Sequence, residues 1–372
     1  MPERAVGGAI CGLRERRREE AEQHRGECDA HLTQSYPSTL ATMEQRQIPR
    51  LGRAVSCVGF GGWQLGADWG DVSEDTGIAA VEAALAAGVT FVDTADVYGD
   101  GRSEQLIGRV LSEGVADRPF VATKMGRRVA QEHAGYTPAR FREWTDRSRA
   151  NLGVERLDLV QLHCPPTAVI EDSATYDALD ALVADGAIAA YGVSVETCAQ
   201  ALATIARPNV TNIQIIFNPF RLKPLDEVLP AAKAAGVSIF ARVPLASGLL
   251  SGRYSASTTF AADDHRNYNR HGEAFDRGET FSGVDYSVGL DAASELSAAL
   301  PEGVSLPAAT LAWIAAQPGV TSVIPGARSV TQAASNADAG GLLDSGFDVS
   351  AFDAVVHDVY DRRLREAIHP LW

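Results

Sequence analysis

Ala86-Ala87-Gly88-Val89-Thr90-Phe91-Val92 closes an alanine-rich stretch with a glycine and opens a short apolar one. The same phrase returns at Ala184-Asp185-Gly186 before Ile188 to Val195, at Ala234-Ala235-Gly236 before Val237 to Phe240, and at Gln317-Pro318-Gly319 before Val320 to Ile324. A glycine in that place ends a helix in the left-handed conformation, which it adopts without steric cost. The apolar runs, like Leu157 to Leu162 and Ile213 to Phe217, are apolar on both faces, as strands covered on both sides must be. The phrase therefore reads helix, cap, buried strand.

Extending this reading along the chain predicts strands near 57–62, 89–94, 119–124, 157–163, 188–194, 210–217, 237–242 and 320–324, most of them followed by a helix. Eight such units make a closed (β/α)8 TIM barrel the expected fold. A doubly wound open sheet alternates the same elements. The run Gly59-Phe60-Gly61-Gly62-Trp63-Gln64 does not favour it, since a dinucleotide fingerprint needs its third glycine where Gln64 stands. Ahead of the first strand, Gln47 to Ser56 resembles a hairpin turning at Arg50-Leu51-Gly52-Arg53 that would plug the barrel floor. After the seventh strand, between Leu250 and Leu290, the periodicity fails for about forty residues. That stretch is a lid or binding loop, or else a disordered insertion.

The barrel is expected over residues 43–372. Residues 1–42, with Arg14, Arg16, Arg17, Arg18, Glu19, Glu20 and Glu22, form a charged amino-terminal extension expected to be disordered. A partner-binding arm is its other reading, disfavoured because isolated charged helices are marginal. Met43 leaves open a start downstream of that extension.

With 45% hydrophobic and 22% charged residues, the chain can bury a sizeable core. A formal net charge of −15 repels nucleic acid phosphates. Cys11, Cys28, Cys57, Cys164 and Cys198 are scattered without a C-x-x-C pair and read as reduced thiols. No apolar run approaches the roughly 20 residues that span a bilayer, and no signal-peptide core stands at the amino terminus. The expected location is the cytoplasm, with no nucleic acid or membrane partner.

In such a barrel the active site is built at the carboxyl ends of the strands. Three consecutive strands deliver Asp93, Lys124 and His163 there, and Tyr98 follows just beyond the first. A free tyrosine, with a pKa of about 10, exchanges protons poorly near neutrality unless its phenolate is stabilised. Lys124 could do that, Asp93 could hold the lysine, and His163 could donate to a carbonyl oxygen gaining negative charge. This is a proton relay beside an electrophilic pocket, with a cofactor supplying hydride. A metal hydrolase on the same fold is a weaker rival because no H-x-H pair or paired carboxylates accompany His163, and no metal is expected.

These residues carry a resemblance. Phe91-Val92-Asp93-Thr94-Ala95-Asp96-Val97-Tyr98-Gly99, continuing Ser103 to Gly108, resembles the first signature of the aldo-keto reductase family; Leu157 to His163 resembles its fourth-strand signature and Ala122-Thr123-Lys124 its lysine strand. The match runs from about Glu44 to the last helix. It implies a bacterial-type NADP-dependent oxidoreductase interconverting a small-molecule carbonyl and an alcohol, with Tyr98 as general acid/base, Lys124 and Asp93 tuning it, and His163 polarising the substrate. It further implies that Ser194 and Gln214 hold the nicotinamide carboxamide. Trp63 lies beside the substrate pocket, where Trp69, Tyr98 and the 250–290 loop are further candidate walls.

Ile324-Pro325-Gly326-Ala327-Arg328, with Gln332 and Asn336, resembles the segment that binds the adenosine end. Arg328 suits a 2′-phosphate, which favours NADP(H) over NAD(H). Pro244-Leu245-Ala246-Ser247-Gly248-Leu249-Leu250-Ser251-Gly252-Arg253 resembles the loop that folds over the pyrophosphate. Two positions depart from the family pattern. Val195 stands where many members carry an asparagine that helps bind the carboxamide, and Arg242 where many place an aromatic residue that stacks on the nicotinamide; a guanidinium plane can also stack. The alternative to an enzyme is a regulatory member that holds cofactor without turnover.

Overall fold

In the computed structural model, which describes residues 43–66, 72–115, 117–343 and 345–372, two strands, β1 (Gln45–Ile48) and β2 (Arg53–Ser56), pair as an antiparallel hairpin. The parallel strands that follow are β3 (Phe60–Gly61), β4 (Phe91–Asp93), β5 (Phe120–Met125), β6 (Leu159–His163), β7 (Tyr191–Ser194), β8 (Asn212–Ile216), β9 (Ser238–Arg242) and β10 (Val320–Val323). They pair in sequence order, and the last returns to the first. Gly59 N donates to Val323 O at 2.8 Å, Val323 N to Cys57 O at 2.9 Å and Gly61 N to Pro325 O at 2.9 Å. The sheet is thus the expected (β/α)8 barrel. The expectation for residues 1–42 lies outside the described residues.

Local chemistry starts and stops the helices. Thr137 caps Pro138–Leu152, with the proline at the first turn where no N–H is needed, and Thr197 and Gln200 form a capping box on Cys198–Ile205. Gly88, Gly186, Gly236 and Gly319, the glycines of the repeating phrase, have φ of 89°, 72°, 66° and 101°.

Period-two alternation sorts the strand residues into two cores. Val92, Val121, Val160, Leu162, Val193, Ile213 and Ile239 face outward to the helices. Phe91, Phe120, Ala122, Leu159, Ala190, Phe240 and Ile324 face inward and meet Ile48 and Val55 of the hairpin, which plugs the floor. The Phe91 and Phe240 rings lie 4.5 Å apart.

Two residues further along each inward row the floor gives way to polarity: Phe91 leads to Asp93, Ala122 to Lys124, Leu159 to Gln161 and then His163, and Phe240 to Arg242. Gly192 makes room for this layer, since a Cβ there would stand 1.8 Å from Asn212 Oδ1. The apolar floor therefore holds a polar layer at the carboxyl-terminal mouth.

The segment after β9 follows a path of short turns and helices. Val243, Ala246 and Ser247 take positive φ, an arrangement that costs on the order of 1 kcal/mol or more per residue. The chain then runs through the helix His265–Tyr268 and the short turns Arg277–Glu279 and Phe281–Gly283 into the helix Tyr286–Ala298. Asn269 ties this path together, its Oδ1 accepting from Ala274 N and Phe275 N and its Nδ2 donating to Thr280 Oγ1. Among the described residues, no helix is long and apolar enough to cross a membrane.

Candidate active site

Asp93 and Lys124 meet inside the barrel mouth, Nζ to Oδ1 at 2.5 Å, and both side chains are almost fully buried. Lys124 also donates to Thr94 O at 2.9 Å and to the Tyr98 hydroxyl at 3.3 Å. The second Asp93 oxygen accepts from Gln214 Nε2 at 2.8 Å and Gln161 Nε2 at 3.1 Å. Asn212 then donates to Gln161 Oε1 at 2.8 Å. A ladder of three amides fixes the carboxylate, the carboxylate fixes the ammonium, and the ammonium reaches the phenol. Across from the phenol, the His163 ring lies 5.8 Å from the Tyr98 ring, edge to face.

Burial pushes the Tyr98 phenol above its ordinary value; Lys124 pulls it down, and Asp93 adds to the rise. The sequence reading stressed the pull of the lysine. Burial is the larger influence, which favours the protonated phenol. Burial also pulls Lys124 downward, but Asp93 and then the phenol outweigh that, and it stays an ammonium. Burial, followed by the charges of Arg127 and Lys124, holds the His163 imidazole well below the usual range, hence neutral.

Asp96, in the same turn as Tyr98, is fully buried with neither carboxylate oxygen hydrogen-bonded. Burial and then Glu104 push its pKa up to about 7. An acid raised in the folded state stabilises while protonated, and that contribution is lost as pH rises from its unfolded value through its folded one. Asp96→Asn should therefore gain stability over the parent by up to about 1.4 kcal/mol per pH unit between about pH 4 and pH 7, then level off. Urea midpoints measured across pH check this; a gap independent of pH contradicts it.

The phenol and imidazole open on a cavity of about 640 Å³. Its wall carries, of the residues expected from sequence, Asp93, Tyr98, His163, Gln214, Arg242, Pro244, Leu245, Ser247, Gly248, Arg253, Gly326, Arg328, Gln332, Asn336 and Trp63. The Trp63 ring stacks on Tyr98 at 6.1 Å and 19°. At the far end the helix Val330–Leu342 points its amino terminus at the cavity, capped by Ser329, with Gln332 Oε1 accepting from Arg328 N at 3.0 Å and Asn336 donating to Gly326 O at 3.1 Å.

Three expected residues lie behind the wall. Lys124 reaches Tyr98 from beneath. Ser194 is 1% exposed with its hydroxyl 3.4 Å from Cys164 Sγ, and the Leu249 side chain sits in the outer core. Trp69 lies outside the described residues. Gln214 spends its amide nitrogen on Asp93 and on Gln161 Oε1. Arg242 is not a loose plane: Glu196 Oε2 at 3.0 Å, Glu279 Oε2 at 2.6 Å and Val195 O at 3.1 Å hold its edges. Ser247 fastens the two halves of the long loop, donating to Glu279 O and accepting from Phe281 N.

Sequence reading expected the 250–290 loop as a wall without naming its residues, which prove to be Tyr254, Arg266, Phe275 and Glu279, and it missed Arg127. Those four come from the segment without periodicity, and Arg127 stands beyond the motif that ends at Lys124. Cys164, Glu196 and Glu279 bring potential metal-ligand atoms together. Arg242 already occupies the space between the two carboxylates, so the group reads as an ion-pair network.

The model of the aldo/keto reductase family matches residues 57–356. Aldo-keto reductase YhdN of Bacillus subtilis is 32% identical over 297 residues, covering 78% of this chain and 86% of that protein. The structure of glycerol dehydrogenase AKR11B4 from Gluconobacter oxydans superposes with a TM-score of 0.70 at 28% identity, over 88% of this chain and 98% of that one. An aldo-keto reductase of Klebsiella pneumoniae in complex with NADPH shares the fold, with a TM-score of 0.63 at 22% identity, over 84% and 95%. A matched barrel, a matched sequence and a buried chain of Asp–Lys–Tyr contacts make one case, and the chain belongs to the aldo/keto reductase family of oxidoreductases.

Proposed function

We propose that this chain is a cytoplasmic NADP(H)-dependent reductase that interconverts a carbonyl and an alcohol. The observation that carries the reading is the contact of the Tyr98 hydroxyl with Lys124, backed by Asp93 and faced by His163, at the closed end of a cavity large enough for a cofactor. Bound there, the nicotinamide supplies or accepts hydride. Tyr98, protonated at rest, gives its proton to the carbonyl oxygen in reduction, and Lys124 stabilises the phenolate left behind. His163, neutral, can donate to the same oxygen as negative charge develops. In oxidation the path reverses, and the phenolate takes the proton.

The residues at the far end fit a dinucleotide. A helix amino terminus favours phosphate, and Arg253, Arg266 and Arg328 line the same wall. The NADPH held by the Klebsiella structure agrees with that fit. Assigning the 2′-phosphate to Arg328 makes a testable claim: Arg328→Ala should weaken NADPH binding by about 10- to 100-fold, the value of a hydrogen bond to a charged group, and NADH binding far less. Fluorescence titration with both nucleotides reads it. An equal loss for both would remove Arg328 from that role.

A further inference from the structure

The reaction proposed above leaves one guanidinium beside the reacting groups without a task. Arg127, three residues past Lys124, lies on the cavity wall. Its Nε donates to the His163 carbonyl at 3.3 Å and its Nη2 to Glu196 Oε1 at 2.9 Å, with Glu279 Oε1 at 3.8 Å. These contacts fix the plane of the fork. Nη1 makes no hydrogen bond among the described residues and is not a buried orphan, and the side chain is 22% exposed. Its N–H donors are therefore offered to the cavity.

Charge decides what can accept them. Arg127 and Arg242 each bridge Glu196 and Glu279, closing a ring of four ion pairs in which burial pushes the Glu279 carboxyl up and Arg242 pulls it down. Lys124 and Asp93 cancel, and His163 is neutral. A carboxylate or phosphate at Nη1 would stand close to Glu196 and Glu279 and would have to compete with them, at the cost of unpairing buried charge. An uncharged hydroxyl oxygen accepts from the guanidinium without disturbing either carboxylate. Trp63 supplies the remaining surface, stacked on Tyr98 and meeting Phe275 at 6.2 Å, a flat wall for the C–H face of a short chain.

Resting on the reduction chemistry proposed above, we infer that Arg127 selects neutral substrates bearing a hydroxyl on the carbon next to the reacting one. The class is the α-hydroxy aldehydes and ketones, together with the vicinal diols they become. In reduction the carbonyl carbon gains a hydride from the reduced nicotinamide and its oxygen gains the Tyr98 proton; the neighbouring hydroxyl keeps its own proton and accepts from Nη1.

Two matched sets of substrates test this with the full chain and its nucleotide: hydroxyacetone, butanone and pyruvate; glycolaldehyde, propanal and glyoxylate. Within each set only the group beside the carbonyl changes. The parent should prefer the hydroxylated member over the plain one in kcat/KM, and Arg127→Gln should shrink that ratio by about 10- to 100-fold. Arg127→Lys, a point charge without the fork, should shrink it less. The ratio is taken within one preparation, so a loss of folded protein does not alter it. A ratio equal in parent and variants, or a preference for pyruvate and glyoxylate, overturns the assignment while the reduction chemistry stands. No turnover of any member overturns both.

Discussion

Tyr98→Phe is expected to lower kcat by about two to four orders of magnitude, the usual worth of a positioned proton donor. Nucleotide affinity should stay within about twofold. The substitution removes one oxygen and keeps the ring that stacks on Trp63 and meets His163 edge to face. Lys124 loses its 3.3 Å contact with the phenol but keeps Asp93 and Thr94 O, so the ammonium is not orphaned. The loss should therefore fall on the proton-transfer step. Pre-steady-state hydride transfer and nucleotide titration separate the two quantities. A variant that turns over at near the parent rate would move the proton donor elsewhere.

Lys124→Met should have the larger structural effect. Removing one partner of a buried ion pair typically costs 3 to 5 kcal/mol, roughly, because the remaining charge is left without compensation in a low dielectric. Asp93 would retain only Gln214 and Gln161 as donors, and its Oδ1 would face the barrel interior alone. Activity should also fall at least as far as in Tyr98→Phe, since the phenol loses the one charge that opposes its burial. Urea unfolding of parent and variant measures the first effect. A loss under about 1 kcal/mol would show the pair to be solvated and the site wetter than the structure describes.

Much of this site was legible because it is local along the chain. Strand alternation puts Phe91 and Asp93 on one face and Leu159, Gln161 and His163 on one face, so a floor residue announces a mouth residue two or four places on. Three consecutive strands then bring Asp93, Lys124 and His163 to one rim without any knowledge of side-chain packing. The ladder of Gln161, Asn212 and Gln214 was not legible in that way. It depends on which amides face each other across neighbouring strands, and on Gly192 leaving the space.

Arg127 and Glu279 illustrate the harder case. Arg127 follows β5, whereas Glu279 lies within the long excursion after β9; they come within 3.8 Å because the path of that excursion is held by side-chain bonds to the backbone, as at Asn269 and Ser247. Such a path has no hydrophobic period to read, so the segment could be called a lid or an insertion and nothing finer. Arg242 shows the same limit. Its identity was plain, but the two carboxylates that hold its edges stand far from it in sequence.

The most direct test of the central claim follows the hydride itself. NADPH deuterated at C4 of the nicotinamide is incubated with the purified chain and a panel of aldehydes and ketones, and the alcohol products are analysed by mass spectrometry. The account predicts deuterium on the former carbonyl carbon, with incorporation lost alongside turnover in Tyr98→Phe. Alcohol formed without deuterium, or no product and no nucleotide binding, would contradict it.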